Sequence, residues 1–176
     1  MSPTPPALHD RLQPALLDRL TDDSRLGERA PNDGRMLTKA QMRAAVLRDL
    51  GWLFNAGQPL GEQADGHPLL AGCVLNFGMP ALSGQLASEL DVSQLERVIR
   101  QAIVRFEPRI LADTLEVHAL EATSVLDTHN IVEFEISGHL WAQPMPLEIA
   151  LRTQLDLEAG QVAVFDNGGS AKLRRG

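Results

Sequence analysis

Apolar residues recur along this chain with two different spacings, a helical one before Pro108 and a strand-like one after it. The clearest stretch is Ser93 to Leu111, SQLERVIRQAIVRFEPRIL, in which Leu95, Val98, Ile99, Ala102, Ile103 and Phe106 fall at i, i+3, i+4, i+7, i+8 and i+11. That spacing puts them on one face of an amphipathic helix. Ser93 followed by Glu96 reads as a capping box, each side chain satisfying a backbone N–H that the first turn leaves without a partner. Pro108 disfavours the helical conformation for Glu107, so the helix is predicted to stop at Phe106–Glu107 and Arg109 and Ile110 to leave extended. A second helix is predicted over Lys39 to Asn55, with Thr38 and Gln41 as its capping box and Met42, Val46, Leu50, Leu53 and Phe54 facing the core. Gly57 and Pro59 end it.

Beyond the corner, Leu115, Val117 and Ala119 alternate with polar neighbours, as do Val132, Phe134, Ile136 and Leu140, and then Leu147, Ile149, Leu151, Leu155 and Leu157. These predict strands, joined by Glu121–Asn130 and by Gln143-Pro-Met-Pro into antiparallel neighbours, with Val162 to Phe165 as a short addition. Between the helices, Gln58 to Pro68 reads as a loop. Leu69 to Gly84 is apolar but broken by Gly72, Gly78, Pro80 and Gly84, which predicts a turn-rich element with Asn76 and Gly78 as candidates for positive φ. The expected fold class is α+β: N-terminal helices and a central amphipathic helix packed on a small, mainly antiparallel sheet. The expected organisation is a flexible segment over 1–35 with one short helix around Leu16, Leu17 and Leu20, a single domain over 36–165, and a disordered tail over 166–176.

Composition narrows the function classes. The formal charge of −7 gives no electrostatic basis for general nucleic-acid or anionic-membrane binding. The charge is also uneven. Asp113 to Glu158 carries nine acids against Arg152 alone, whereas the central helix and its corner carry Arg97, Arg100, Arg105 and Arg109. An acidic sheet side and a basic helix side suit docking between protein subunits. With Cys73 as the one cysteine, no internal disulfide is possible. The sequence has no apolar run long enough to span a bilayer and no apolar signal region, which predicts a cytoplasmic protein without direct membrane insertion.

Candidate chemistry is sparse. No phosphate loop, dinucleotide fingerprint, C-x-x-C, H-E-x-x-H or G-x-S-x-G occurs, and His9, His67, His118, His129 and His139 lack metal-ligand spacing. No catalytic residue, metal, cofactor or small-molecule substrate is therefore assigned. The remaining feature is the corner Glu107-Pro108-Arg109. Read blandly, it is a helix stop with a solvated ion pair worth about 0–1 kcal/mol. Read sharply, proline fixes the corner so that carboxylate and guanidinium project toward a protein partner, a role the planar fork of Arg suits.

LLDRLTD at Leu16 to Asp22, Arg48-Asp49-Leu50 in the helix ending LFN, CVLNFGMPALSG from Cys73, and FEPRI at Phe106 to Ile110 occur in that order. This ordered set resembles the TssE subunits of type VI secretion baseplates and, more widely, the contractile-phage baseplate wedge proteins that carry an old lysozyme-like label. Cys73, Phe77, Met79 and Ala81 stand where that pattern has Ser, Tyr, Leu and Asp, and Ala81 lacks a carboxylate. The resemblance implies a structural subunit at the cytoplasmic face of the inner membrane that starts contractile-sheath assembly, with other wedge subunits and sheath proteins as partners. It also implies docking through Glu107, Pro108 and Arg109. A muramidase-like peptidoglycan hydrolase is the alternative. Leu147 to Leu157, the longest strand and the last strongly signalled one, is the expected sheet edge for a sheath strand, with Arg152 and Gln154 as its outward positions.

Overall fold

The computed structural model describes residues 15, 18, 37–64, 66–80, 92–120, 131–142 and 145–167. The predicted helix around Leu16 and Leu20, the stretch Glu121–Asn130, Ala81 and most of the predicted tail lie outside these residues. Helix α1 spans Lys39–Asn55, the short helix α2 Pro68–Ala71 and helix α3 Val92–Phe106. Strands β1 (Glu116–Ala119), β2 (Ile131–Leu140), β3 (Leu147–Asp156) and β4 (Gln161–Asp166) form one antiparallel sheet in the order β1-β2-β3-β4. The architecture is α+β, as the patterning predicts.

Helix α1 begins where its capping box requires. The Gln41 N–H donates to the Thr38 hydroxyl at 3.2 Å and the Thr38 N–H to the Gln41 side chain at 2.9 Å. Its predicted stripe, Met42, Val46, Leu50, Leu53 and Phe54, is buried throughout. In α3 the buried residues are Leu95, Ile99, Ala102 and Ile103, with Val98 and Phe106 packed at the margin. Both helices lie on the inner face of the sheet, whose core positions Phe134, Ile136, Leu140, Ile149 and Leu151 are inaccessible to solvent or nearly so. The outward face carries Glu116, Glu133, Glu135, Glu148 and Asp156, opposite in charge to Arg97, Arg100 and Arg105 on α3.

The expected start of α3 is corrected. Ser93 lies inside the helix, which begins by Val92, and the Glu96 carboxylate instead accepts the N–H of Ala119 at 2.7 Å, in β1. The side chain thus closes a donor at a sheet edge rather than at a helix end. At the other edge Asn55 does the same for β4, accepting the Val162 N–H at 2.9 Å and donating to the Val162 carbonyl at 2.8 Å. An open sheet exposes unpaired backbone groups along both edges, and here each helix contributes a side chain that covers part of one.

The expected edge strand is also corrected. β3 is an interior strand, paired along its length with β2 and over Leu151–Asp156 with β4, so its backbone ladder has no vacancy for another chain there. The weakly signalled Val162–Phe165 piece is a full strand and takes the edge. Its six residues are half-exposed or exposed, which leaves too little apolar alternation to announce it.

The turn-rich element between α1 and α3 contains α2 and a 3₁₀ turn at Val74–Asn76, and the expected loop before it includes a 3₁₀ turn at Gly61–Ala64. Asn76 lies in that 3₁₀ turn and is buried, whereas Gly78 has φ +132° and passes so close to α1 that a Cβ there would sit 2.4 Å from the Ala56 carbonyl oxygen. Gly78→Ala therefore combines a strained φ with a backbone overlap, and the strain alone is of order 1–3 kcal/mol. Chemical denaturation is expected to show a loss of about 3 kcal/mol for Gly78→Ala. For Gly57→Ala, where an added Cβ meets nothing within 4 Å, the loss stays below about 0.5 kcal/mol.

Candidate functional site

The corner after α3 is pinned by backbone on both sides. Glu107 N–H closes the last helical turn onto Ile103 at 2.8 Å, and Ile110 N–H closes the turn over Pro108 onto the Glu107 carbonyl at 3.2 Å. The chain then runs beside the end of β2, with Leu111 N–H donating to His139 at 2.9 Å and Trp141 N–H to Arg109 at 2.7 Å. This geometry turns the Glu107 side chain inward, where the residue is only 4% exposed. A carboxylate so placed is costly unless its oxygens are hydrogen-bonded and its charge paired. Arg109 does both. Its backbone N–H and its Nε reach Glu107 Oε1 at 3.2 and 2.6 Å, and its Nη2 pairs with Oε2. The fork is bidentate, as guanidinium and carboxylate geometry favours.

The same Nη2 donates to Asp49 Oδ2 on α1 at 2.5 Å. Asp49 Oδ1 in turn accepts from Arg48 Nε and Nη2 at 2.9 and 2.7 Å, and Arg48 Nη1 pairs with Asp18. Arg48 also lies over the Trp52 ring, 5.0 Å from its centroid, one helical turn on. The result is a chain of alternating charge, Glu107–Arg109–Asp49–Arg48–Asp18, drawn from three separate stretches of sequence. Burial opposes the Arg109 charge, but the Glu107 and Asp49 carboxylates outweigh it and raise its pKa. The hydrogen bond from Arg48 likewise holds the Asp18 carboxyl below its usual range, and Asp18 raises the pKa of Arg48. Beside this network a cleft of about 420 Å³ is lined by Trp52, Phe77, Phe106, Pro108 and Arg109, among others. Phe77 and Phe106 meet edge to face at 5.4 Å, joining the turn-rich element to the corner.

The solvated ion pair expected at the corner is corrected. Glu107 is buried and paired internally, Arg109 is half-buried, and Pro108 is the exposed member. Arg152 and Gln154 lie far along the sheet sequence in the interior strand, where both bind Glu133 of β2, Arg152 through Nε at 3.1 Å and Gln154 through Nε2 at 2.7 Å. Those bonds, Arg152's first, hold the Glu133 carboxyl below its usual range. Sequence reasoning from the corner alone missed Asp18, Arg48, Asp49 and Trp52. The available signal was the Arg48-Asp49 pair set between the buried Val46 and Leu50, where charged side chains need partners.

A family match to the baseplate wedge protein gp25 spans residues 40–145. The chain belongs to the gp25 family of baseplate wedge proteins. The match runs from α1 through β2 and contains Arg48, Asp49, Glu107 and Arg109, so the family segment includes both structural elements that the network ties together. Asp18, β3 and β4 lie outside it. No curated protein and no solved structure matches the chain significantly. Among the described residues no group of His, Cys, Asp and Glu is placed to hold a metal ion, and no helix is long and apolar enough to cross a membrane. A structural role in a baseplate follows from the family.

Removing Arg109 leaves Glu107 buried with no counter-charge, and breaking a buried pair from one side costs about 3–5 kcal/mol. Arg109→Ala is accordingly expected to lower the unfolding free energy by about 3 kcal/mol in urea titrations at neutral pH. A loss below about 1 kcal/mol would mean the pair behaves as a solvated one.

Proposed function

We propose that this chain is the TssE-type wedge subunit of a type VI secretion baseplate, docking on other wedge subunits at the Pro108 corner and initiating the contractile sheath. The observation that carries the reading is the convergence of the LLDRLTD, Arg48-Asp49 and Glu-Pro-Arg pieces on one charge network beside an open, aromatic-lined cleft. A network that is internally paired fixes the corner's shape, while the cleft with Pro108 and Trp52 offers the adjoining surface to a partner. The muramidase alternative finds no support here. The oxygens of Glu107 and Asp49 are each engaged by guanidinium groups of this chain rather than turned free into the cleft.

Sheath initiation is assigned to the β4 edge. Asn167 N–H donates inward to Ala150, so the alternate backbone groups of Val162, Val164 and Asp166 face the edge, with those of Val162 taken by Asn55. An incoming extended segment would pair at the edge-facing backbone groups of Val164.

Cells lacking this chain are expected to assemble no sheath by fluorescence microscopy, and the full chain to restore it. Pro108→Ala, which frees the corner without removing a charge, is expected to lower co-purification with the other wedge subunits. Val164→Pro removes an edge-facing N–H and is expected to block sheath growth while wedge co-purification persists, near-UV circular dichroism showing the variant folded. Normal sheaths in the absence of the chain, or lysis of peptidoglycan by the purified protein, would contradict the reading.

A further inference from the structure

The turn-rich element between α1 and α3 holds three apolar side chains in water. Leu69, Val74 and Leu75 are 91%, 83% and 72% exposed. Their backbone is nonetheless firmly tied. Asn76, 1% exposed, accepts the Leu60 N–H and donates to the Ala71 carbonyl, both at 3.3 Å. Met79 N–H reaches Ala56 at 2.7 Å and Gln58 N–H reaches Met79 at 2.9 Å, which fastens the end of the element to the end of α1. A buried polar anchor thus fixes a loop that sends Phe77 and Met79 toward the core while Leu69, Val74 and Leu75 stay outside it. Concentrated apolar exposure of that kind marks a surface that is covered in the working state.

A cation stands next to it. The position of a Cβ on Gly72 lies 3.9 Å from Arg105 Cγ, and Arg105 is exposed on the last turn of α3 beside Val104, which is 41% exposed. Among the described residues Arg105 has no carboxylate partner, unlike Arg109 and Arg48 in the neighbouring network. Strand addition does not suit this surface, because the N–H groups of Leu70, Ala71, Gly72, Cys73, Asn76 and Phe77 all donate within the element. A second copy suits it poorly, since a two-fold pairing of identical patches would bring the two Arg105 charges together.

The geometry points to a second docking surface, formed by Leu69, Val74, Leu75 and Arg105, that takes an amphipathic helix of another baseplate subunit with Asp or Glu bordering its apolar face. The apolar trio supplies the burial and the unpaired Arg105 supplies charge complementarity. The identity of the partner as a baseplate subunit rests on the function proposed above. The surface itself is separate from the Pro108 corner.

A photo-crosslinking residue, p-benzoylphenylalanine, placed at Leu75 of the full chain in cells assembling the secretion apparatus tests this, with the same residue at Pro108 as the second arm. The expected result is a Leu75 crosslink mapped by mass spectrometry to an acidic amphipathic helix of another baseplate subunit. Val74→Asp and Arg105→Glu each reduce its yield about fivefold or more, a loss of that size corresponding to one disrupted contact of ordinary strength. Crosslinks to this chain itself, to a second copy or to a basic segment would overturn the inference. So would a thermal midpoint that falls for Val74→Asp, because the loop would then be part of the fold. Crosslinks from Pro108 with none from Leu75 reject this surface and leave the proposed function standing; none from either position rejects both.

Discussion

A buried carboxylate at the end of a helix needs a counter-charge, and much of this molecule's arrangement follows from how Glu107 obtains one. Its partner, two residues on, can fold back only because Pro108 turns the chain and because β2 holds the backbone of Arg109 and Leu111 in place. Once there, the guanidinium has donors to spare and reaches Asp49, which makes the pair a tie between α3 and α1 rather than a local feature of one helix. Arg48 and Asp18 extend the tie to the N-terminal stretch. Apolar packing brings the two helices to the sheet; the charge network selects how the end of α3 meets the side of α1.

Such a network is a poor source of stability compared with apolar residues of similar volume, because desolvation takes back most of the Coulomb gain. Its value lies in direction. The forks of Arg109 and Arg48 each bind two carboxylates at once, which restricts the orientations open to the surface formed by Pro108, Trp52 and the adjoining cleft. For a subunit whose family works in a multi-protein baseplate, a preset shape lowers the ordering cost at each contact. The sheet edges follow the same economy of means: Glu96 and Asn55 each cover individual edge groups from the helices.

The parts of the fold that were legible in the sequence are those with strong periodicity. The bounds and core stripe of α1, the apolar face and end of α3, and the inward positions of β2 and β3 all depend on local spacing that a sheet or helix must respect. What was not legible depends on pairing between distant segments. Glu96 has the spacing of a capping residue, yet a strand N–H at Ala119 competes for it and wins. β4 alternates too weakly to reveal that it displaces β3 from the edge. The corner is visible as a motif, but its inward turn and its bond to Asp49, sixty positions away, have no signature in Glu-Pro-Arg itself.

The central claim is that Arg109 acts through Asp49 as well as Glu107, and a double-mutant cycle measures that directly. Unfolding free energies of the parent, Asp49→Ala, Arg109→Ala and the double variant give the coupling between the two side chains. The account predicts that the double variant loses about 1–3 kcal/mol less than the sum of the single losses, as for residues in one network. Additivity within about 0.5 kcal/mol would contradict it, showing that the corner and α1 are held together by packing alone.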